Sequence, residues 1–260
     1  MGIFVTCGFP SLADTVPLMH AIDRAGADFI ELGMPFSDPL GEGKPIQRSS
    51  EIALANGANL GTAVDAVANF RETSQTPVLL MGYINPIFRY GISRFCERAA
   101  SAGVDGLILP DLPPDESPEM AVAADNNNLS LVHLIAPNTP EARIKQISDA
   151  STGFVYAVSF TGLTGAKLDS GETVQDYLRR ARGLVSKPLL VGFGIRSAQD
   201  AATMTAHTDG FIVGSALIEN IERFREDPAL DPHARLNEVE SFVRSLRPQR
   251  NEEQASIGGV

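Results

Sequence analysis

Glu31 stands inside the apolar run Phe29-Ile30-Glu31-Leu32-Gly33, where a carboxylate is unexpected. If the run is a β-strand, its two-residue period sends Ile30 and Leu32 to one face and Glu31 to the other. On the inner face of a barrel a carboxylate loses hydration, which favours its protonated form and lifts its pKa towards the range useful for proton transfer. The structural alternative is a buried glutamate paired with a cation or with backbone donors. Two further acids, Asp38 and Glu42, lie in the connection from Met34 to Pro45, which is longer than the about 2 to 6 residues usual between a strand and its helix. Prolines stiffen this segment, and Gly41 and Gly43 supply hinges, a composition suited to a lid over a site; a plain surface loop is the alternative. Glycines form a third group: Thr161-Gly162-Leu163-Thr164-Gly165, Gly192-Phe193-Gly194-Ile195 and Gly214-Ser215. Each follows a strand-like run, and glycine lets backbone N–H groups approach an anion closely.

These residues need a frame. Near-continuous apolar runs recur at Ile3–Cys7, Phe29–Leu32, Val78–Met81, Gly106–Leu109, Leu131–Ile135, Phe154–Val158, Leu189–Gly192 and Gly210–Val213, as expected of parallel strands buried on both faces. Helical spacing separates them, for example Leu12, Val16, Met19 and Ile22, or Phe95, Ala99 and Ala102. Ser11 and Asp14 are placed to cap the first helix, Pro140 opens the one after the fifth strand, and Ala25-Gly26 and Ala102-Gly103 close two others. Leu236, Val239, Val243 and Leu246 make a final amphipathic helix that Pro248 stops. The α/β class follows, as a single (β/α)8 TIM barrel over residues 1–247 with a polar, disordered tail at 248–260. A doubly wound sheet would carry GxGxxG after its first strand, and Gly8-Phe9-Pro10-Ser11 does not. In a barrel, the loops after strands seven and eight with a helix start form a recurrent phosphate site, which the glycine groups fit.

Twenty-one Lys+Arg against 32 Asp+Glu leave a formal charge of −11 with no basic run, so neither a nucleic-acid surface nor a polybasic membrane patch is expected. No apolar stretch approaches the ~18 residues of a membrane span, and no signal peptide is legible, so a cytoplasmic protein is expected. Cys7 and Cys96 read as buried thiols. His20, His133, His207 and His233 match no metal-ligand spacing, and no metal is expected; His133 reads as a satisfied barrel residue.

The stretches FVTCGFPS, GADFIELGMPFSDPLGEGKPIQ, LLMGYINPI, AGVDGLILPDLPPDE, FVYAVSFTGLTGA, VGFGIRS and DGFIVGSAL resemble, in order, the tryptophan synthase α chain family. The resemblance runs from nearly the first residue to about Arg247, and ELGMPFSDP and PDLPP are not generic barrel motifs. It implies a lyase that splits indole-3-glycerol phosphate into indole and glyceraldehyde 3-phosphate by a retro-aldol route, without a cofactor of its own. It places the catalytic acid/base at Glu31 and a second carboxylate, facing the indole N–H, at Glu42, where the family usually has Asp. Gly41, Lys44 and Pro45 also depart from the commoner lid. The phosphate donors map to Gly165, Gly194, Gly214 and Ser215, and the pocket to Phe4, Tyr83, Tyr156, Thr164 and Phe193, with Asp111 as an organising residue. Lys167 reads as an exposed loop cation.

The resemblance also implies a partner, a pyridoxal-phosphate-carrying β chain in an α2β2 heterotetramer, contacted by Asp38, Pro39 and the loop from Leu112 to Asp115. The family's helix before the first strand is absent here, so the bottom of the barrel is expected to be less well plugged. Three other readings are a free-standing lyase of the same fold, a weakly active or non-catalytic activator of the β chain, and a sugar-phosphate epimerase.

Overall fold

The computed structural model describes residues 1–39, 41–116, 118–158, 173–192 and 194–247. The first half runs β1 (Gly2–Thr6), α1 (Thr15–Arg24), β2 (Phe29–Gly33), α2 (Lys44–Ala55), α3 (Leu60–Arg71), β3 (Val78–Met81), α4 (Ile84–Tyr90), α5 (Ile92–Ser101) and β4 (Gly106–Ile108). The second runs α6 (Pro118–Asn126), β5 (Ser130–Ile135), α7 (Glu141–Ala150), β6 (Val155–Val158), α8 (Val174–Arg182), β7 (Leu189–Gly192), α9 (Ala198–Met204), β8 (Gly210–Val213), α10 (Ser215–Glu226) and α11 (Pro232–Ser245).

Every neighbouring pair of strands is parallel, and β8 pairs back to β1 through Gly2↔Ile212 and Ile3↔Val213, so the sheet closes on itself. Closure leaves no strand edge, and helices cover the outside, which is why the strands are apolar on both faces. Helix ends follow local chemistry in several places. Gly26 and Gly103 take φ of +87° and +85°, the left-handed conformation that ends α1 and α5. Pro140 is the N-cap of α7, as its position in the sequence suggests.

Ser11 and Asp14 do not cap. Their side chains bond each other at 2.6 Å, and neither accepts a backbone N–H at the start of the first helical segment. Leu12, expected on the buried stripe of that helix, lies on a short 3-10 turn before it and is 41% exposed. Met19 and Ile22 are buried as expected, as are Phe95 and Ala99 on α5 and Val239, Val243 and Leu246 at the C-terminal end. Residues 248–260, expected as a tail, lie outside the described residues.

At the lower end of the barrel Phe29 of β2 and Phe154, which immediately precedes β6, pack with ring centroids 5.6 Å apart. Gly2 makes room for Phe29, because a Cβ there would sit 2.2 Å from its ring. The strand period then fixes the next layer up: Glu31 stands two residues beyond Phe29, and Tyr156 two residues beyond Phe154.

Candidate active site

Glu31 points into the barrel and is 0% exposed. The register puts it beside Phe4 of β1 and Leu79 of β3. One layer above, a Cβ on Gly33 would lie 2.6 Å from the Phe4 ring, so that ring fills the space over the carboxylate. Neither Glu31 oxygen has a hydrogen-bond partner among the described residues. A structural glutamate would have found a cation or a row of N–H donors, because an unpaired buried charge costs several kcal/mol or more. Burial, with a smaller contribution from the nearby Glu42, pushes the Glu31 pKa well above its ordinary 4.5.

Glu42 is buried as well, with its Oε2 unpartnered, and burial pushes it up to about 7. Two buried acids thus lie close enough for the charge of one to raise the pKa of the other, and burial favours the protonated form of each. Tyr156 is in the same space: burial raises its pKa first, then the charges of Glu31 and Glu42. Its hydroxyl occupies the place of a side chain on β7, since a Cβ on Gly192 would lie 2.1 Å from it. The close approach allowed by that glycine is to Tyr156. Gly192→Ala should therefore displace the tyrosine ring, cost about 1 to 3 kcal/mol, and slow any reaction run between the two walls; thermal melts and a steady-state assay report both effects.

The lid begins inside the mouth. Met34 continues the ladder by donating to Met81 O at 2.7 Å, and Phe36 stacks on Tyr83 with centroids 4.9 Å apart. Tyr83 stands at the start of α4, whose first N–H, that of Ile84, donates to both Asp111 oxygens at 3.1 and 3.2 Å. Phe4, Phe36, Pro39, Glu42 and Tyr83 line a cavity of about 20 Å³. That holds about one water. Asp38 is exposed, and Pro39, beside it, is buried and lines this cavity.

Across the mouth, Gly214 caps α10 with φ −122° and no side-chain cap bond, leaving the helix start open to an anion. Ser215 is its first residue. Gly194, with φ +80°, needs glycine for its backbone conformation alone. Gly165, Thr164, Phe193 and Lys167 lie outside the described residues. α2 reaches this side too: a Cβ on Gly43 would lie 3.3 Å from Ser215 Oγ, and one on Gly214 would lie 3.4 Å from Ile46 Cδ1. The lid carboxylate and the helix start are thus carried by touching elements.

His133 is buried against the Leu112 backbone, and burial lowers its pKa. Cys7 and Cys96 are buried free thiols. Among the described residues no cluster of His, Cys, Asp and Glu could hold a metal ion, and no helix is long and apolar enough to cross a membrane. Two connections escaped the sequence reading: the Gln47 amide bonded to the lid, and the Thr6 hydroxyl bonded to Ser49. Gln47 was visible within the GKPIQ stretch, but nothing in its neighbours pointed to a role.

The model of the tryptophan synthase alpha chain family matches residues 3–249. A tryptophan synthase alpha chain of Xanthomonas campestris pv. campestris (strain B100) is 46% identical over 247 residues, covering 94% of this chain and 89% of that one. One from Geotalea uraniireducens (strain Rf4) is 46% identical over 224 residues, covering 86% and 84%. Among solved structures, the tryptophan synthase subunit alpha of Legionella pneumophila str. Paris superposes with a TM-score of 0.84 at 35% identity, covering 95% of this chain and 90% of that one. A chain from the tryptophan synthase a2b2 complex of Pyrococcus furiosus gives 0.84 at 36% identity, covering 95% and 96%. With one model spanning nearly all of the barrel and relatives this similar over its length, the chain belongs to the tryptophan synthase alpha chain family.

Proposed function

We propose that this chain cleaves indole-3-glycerol phosphate to indole and glyceraldehyde 3-phosphate, with Glu31 as the proton-transferring group and Glu42 as the carboxylate that faces the indole nitrogen. The observation that carries the assignment is a wholly buried, unpartnered Glu31 next to a second buried acid, Glu42, with the pKa of each raised by burial. Protonated Glu31 gives its proton to C3 of the indole, which places positive charge on the ring nitrogen. The bond from C3 to the glycerol carbon then breaks. Its electron pair restores the ring, and the neighbouring hydroxyl, becoming an aldehyde, returns a proton to the Glu31 carboxylate. An ionised Glu42 beside the ring N–H stabilises the charge while it lasts. Gly194, Gly214 and Ser215, with Gly165, hold the phosphate at the start of α10. Phe4, Tyr83 and Tyr156, with Thr164 and Phe193, enclose the ring.

None of these steps calls on a cofactor, and the chain carries none of its own on this reading. It is a cytoplasmic enzyme that works as the α subunit of an α2β2 assembly, where the β partner holds pyridoxal phosphate. Asp38 and the loop from Leu112 to Asp115, whose Asp115 pairs with Arg143 at 2.5 Å, lie at that contact. Pro39, next to Asp38, belongs to the same contact.

Steady-state cleavage measured with and without a β subunit tests the assignment. Slow cleavage alone that rises when the β subunit is added is the expected result. Absence of turnover in both conditions, with stimulation of the β reaction retained, would leave an activator in its place. Full activity indifferent to the β subunit would make it a free-standing lyase.

A further inference from the structure

The segment bearing Glu42 is held from behind. The Gln47 side-chain amide donates to the Glu42 backbone carbonyl at 2.8 Å, and the Glu42 N–H donates to Pro39 O at 2.9 Å. Gln47 sits on the first turn of a helix that is itself anchored at two points. On one side the buried Ser49 hydroxyl lies 2.7 Å from Thr6 Oγ1 at the top of β1 and donates to Ile46 O at 2.8 Å. On the other, Arg48 pairs with Glu222 of α10 at 2.9 Å. A chain of short contacts therefore runs from the barrel rim through α2 to the backbone of the lid acid.

We propose that Gln47 is a positioning residue for Glu42, its amide fixing the peptide from which that side chain departs and so setting where the carboxylate stands. Glutamate carries one more side-chain torsion than the family's usual aspartate, so its oxygens wander further for a given backbone error. A displacement of roughly 1 Å at a reacting group can cost about 10²-fold in rate. A fixed peptide is what the longer acid needs. This inference rests on the reading of Glu42 as a working carboxylate.

The test is a double-mutant cycle on the full chain, read as kcat and KM for indole-3-glycerol phosphate cleavage. Gln47→Leu keeps bulk and helix preference and removes the donor. It should lower kcat about tenfold with KM within about twofold, while in a Glu42→Ala background the same change should alter kcat by less than about twofold. Gln47→Met serves where thermal melts show the leucine variant to be unfolded. Wild-type kcat in a folded Gln47 variant overturns the proposal, and so does an equal loss in both backgrounds. Should Glu42→Ala alone match wild type, the role of Glu42 falls and this inference with it; a loss in Glu42→Ala with none in the Gln47 variants removes the tether and leaves Glu42 in place.

Discussion

Glu31→Gln lowers kcat by about 10³-fold or more while leaving the barrel folded and the phosphate end of the substrate bound. The amide fills the same space between Phe4, Phe29 and Leu79 but neither gives up nor takes a proton at the required step. Stability should move the other way, and the sign follows from the raised pKa. The folded protein favours the neutral acid, whereas the unfolded chain ionises near the ordinary 4.5, so above that pH unfolding releases a proton and native stability falls as pH rises. Below about pH 4 both states hold the proton and this contribution vanishes. Thermal melts of wild type and Glu31→Gln from pH 4 to pH 8 should therefore diverge, with the variant gaining on the wild type as pH increases. Parallel curves, or cleavage persisting at more than about a tenth of the wild-type rate, would remove Glu31 from the centre of the chemistry.

Glu42→Ala should cost about 10² in kcat, the size typical of losing one preorganised group that faces developing charge. Glu42→Asp should stay within about fivefold of wild type, because it keeps the charge and restores the family's usual length. The acid's rise from 4.5 to about 7 also links to folding. At about 1.4 kcal/mol for each pH unit, holding Glu42 in its dry place costs roughly 3 kcal/mol once the pH exceeds 7, and nothing below 4.5. The alanine variant should lose that slope between these values. If the group works ionised, as proposed, wild-type kcat/KM should climb through about pH 7, and that limb should be missing from the residual activity of Glu42→Ala. An alanine variant with wild-type kcat would show that the acid over the mouth takes no part.

Glu31 was legible because a charge interrupting an apolar run has few places to go, and strand periodicity settles which face it takes. The eight strands were legible for the same reason, each being a short run buried on both sides. Ser11 and Asp14 misled because capping chemistry and side-chain pairing use the same residue types, and three residues apart these two satisfied each other. Glycines were harder. Gly194 shows its reason in its own backbone, whereas Gly192 is glycine because Tyr156, far off in sequence, needs the room. The links from Gln47 to Glu42 and from Ser49 to Thr6 depend on how α2 crosses the rim of β1, which no local pattern encodes. Pro39 was assigned to the partner contact by resemblance, and its burial beside the cavity could not be read from its neighbours in sequence.

The aromatic pair under the catalytic layer has a consequence for traffic. Phe29 and Phe154 pack together below Glu31, and the proposed reaction takes its substrate from the other end, where Glu42 and Tyr83 line the cavity. Asp38 stands exposed on its sill. On that reading a macromolecule resting against this end meets each newly freed aromatic ring before bulk water does.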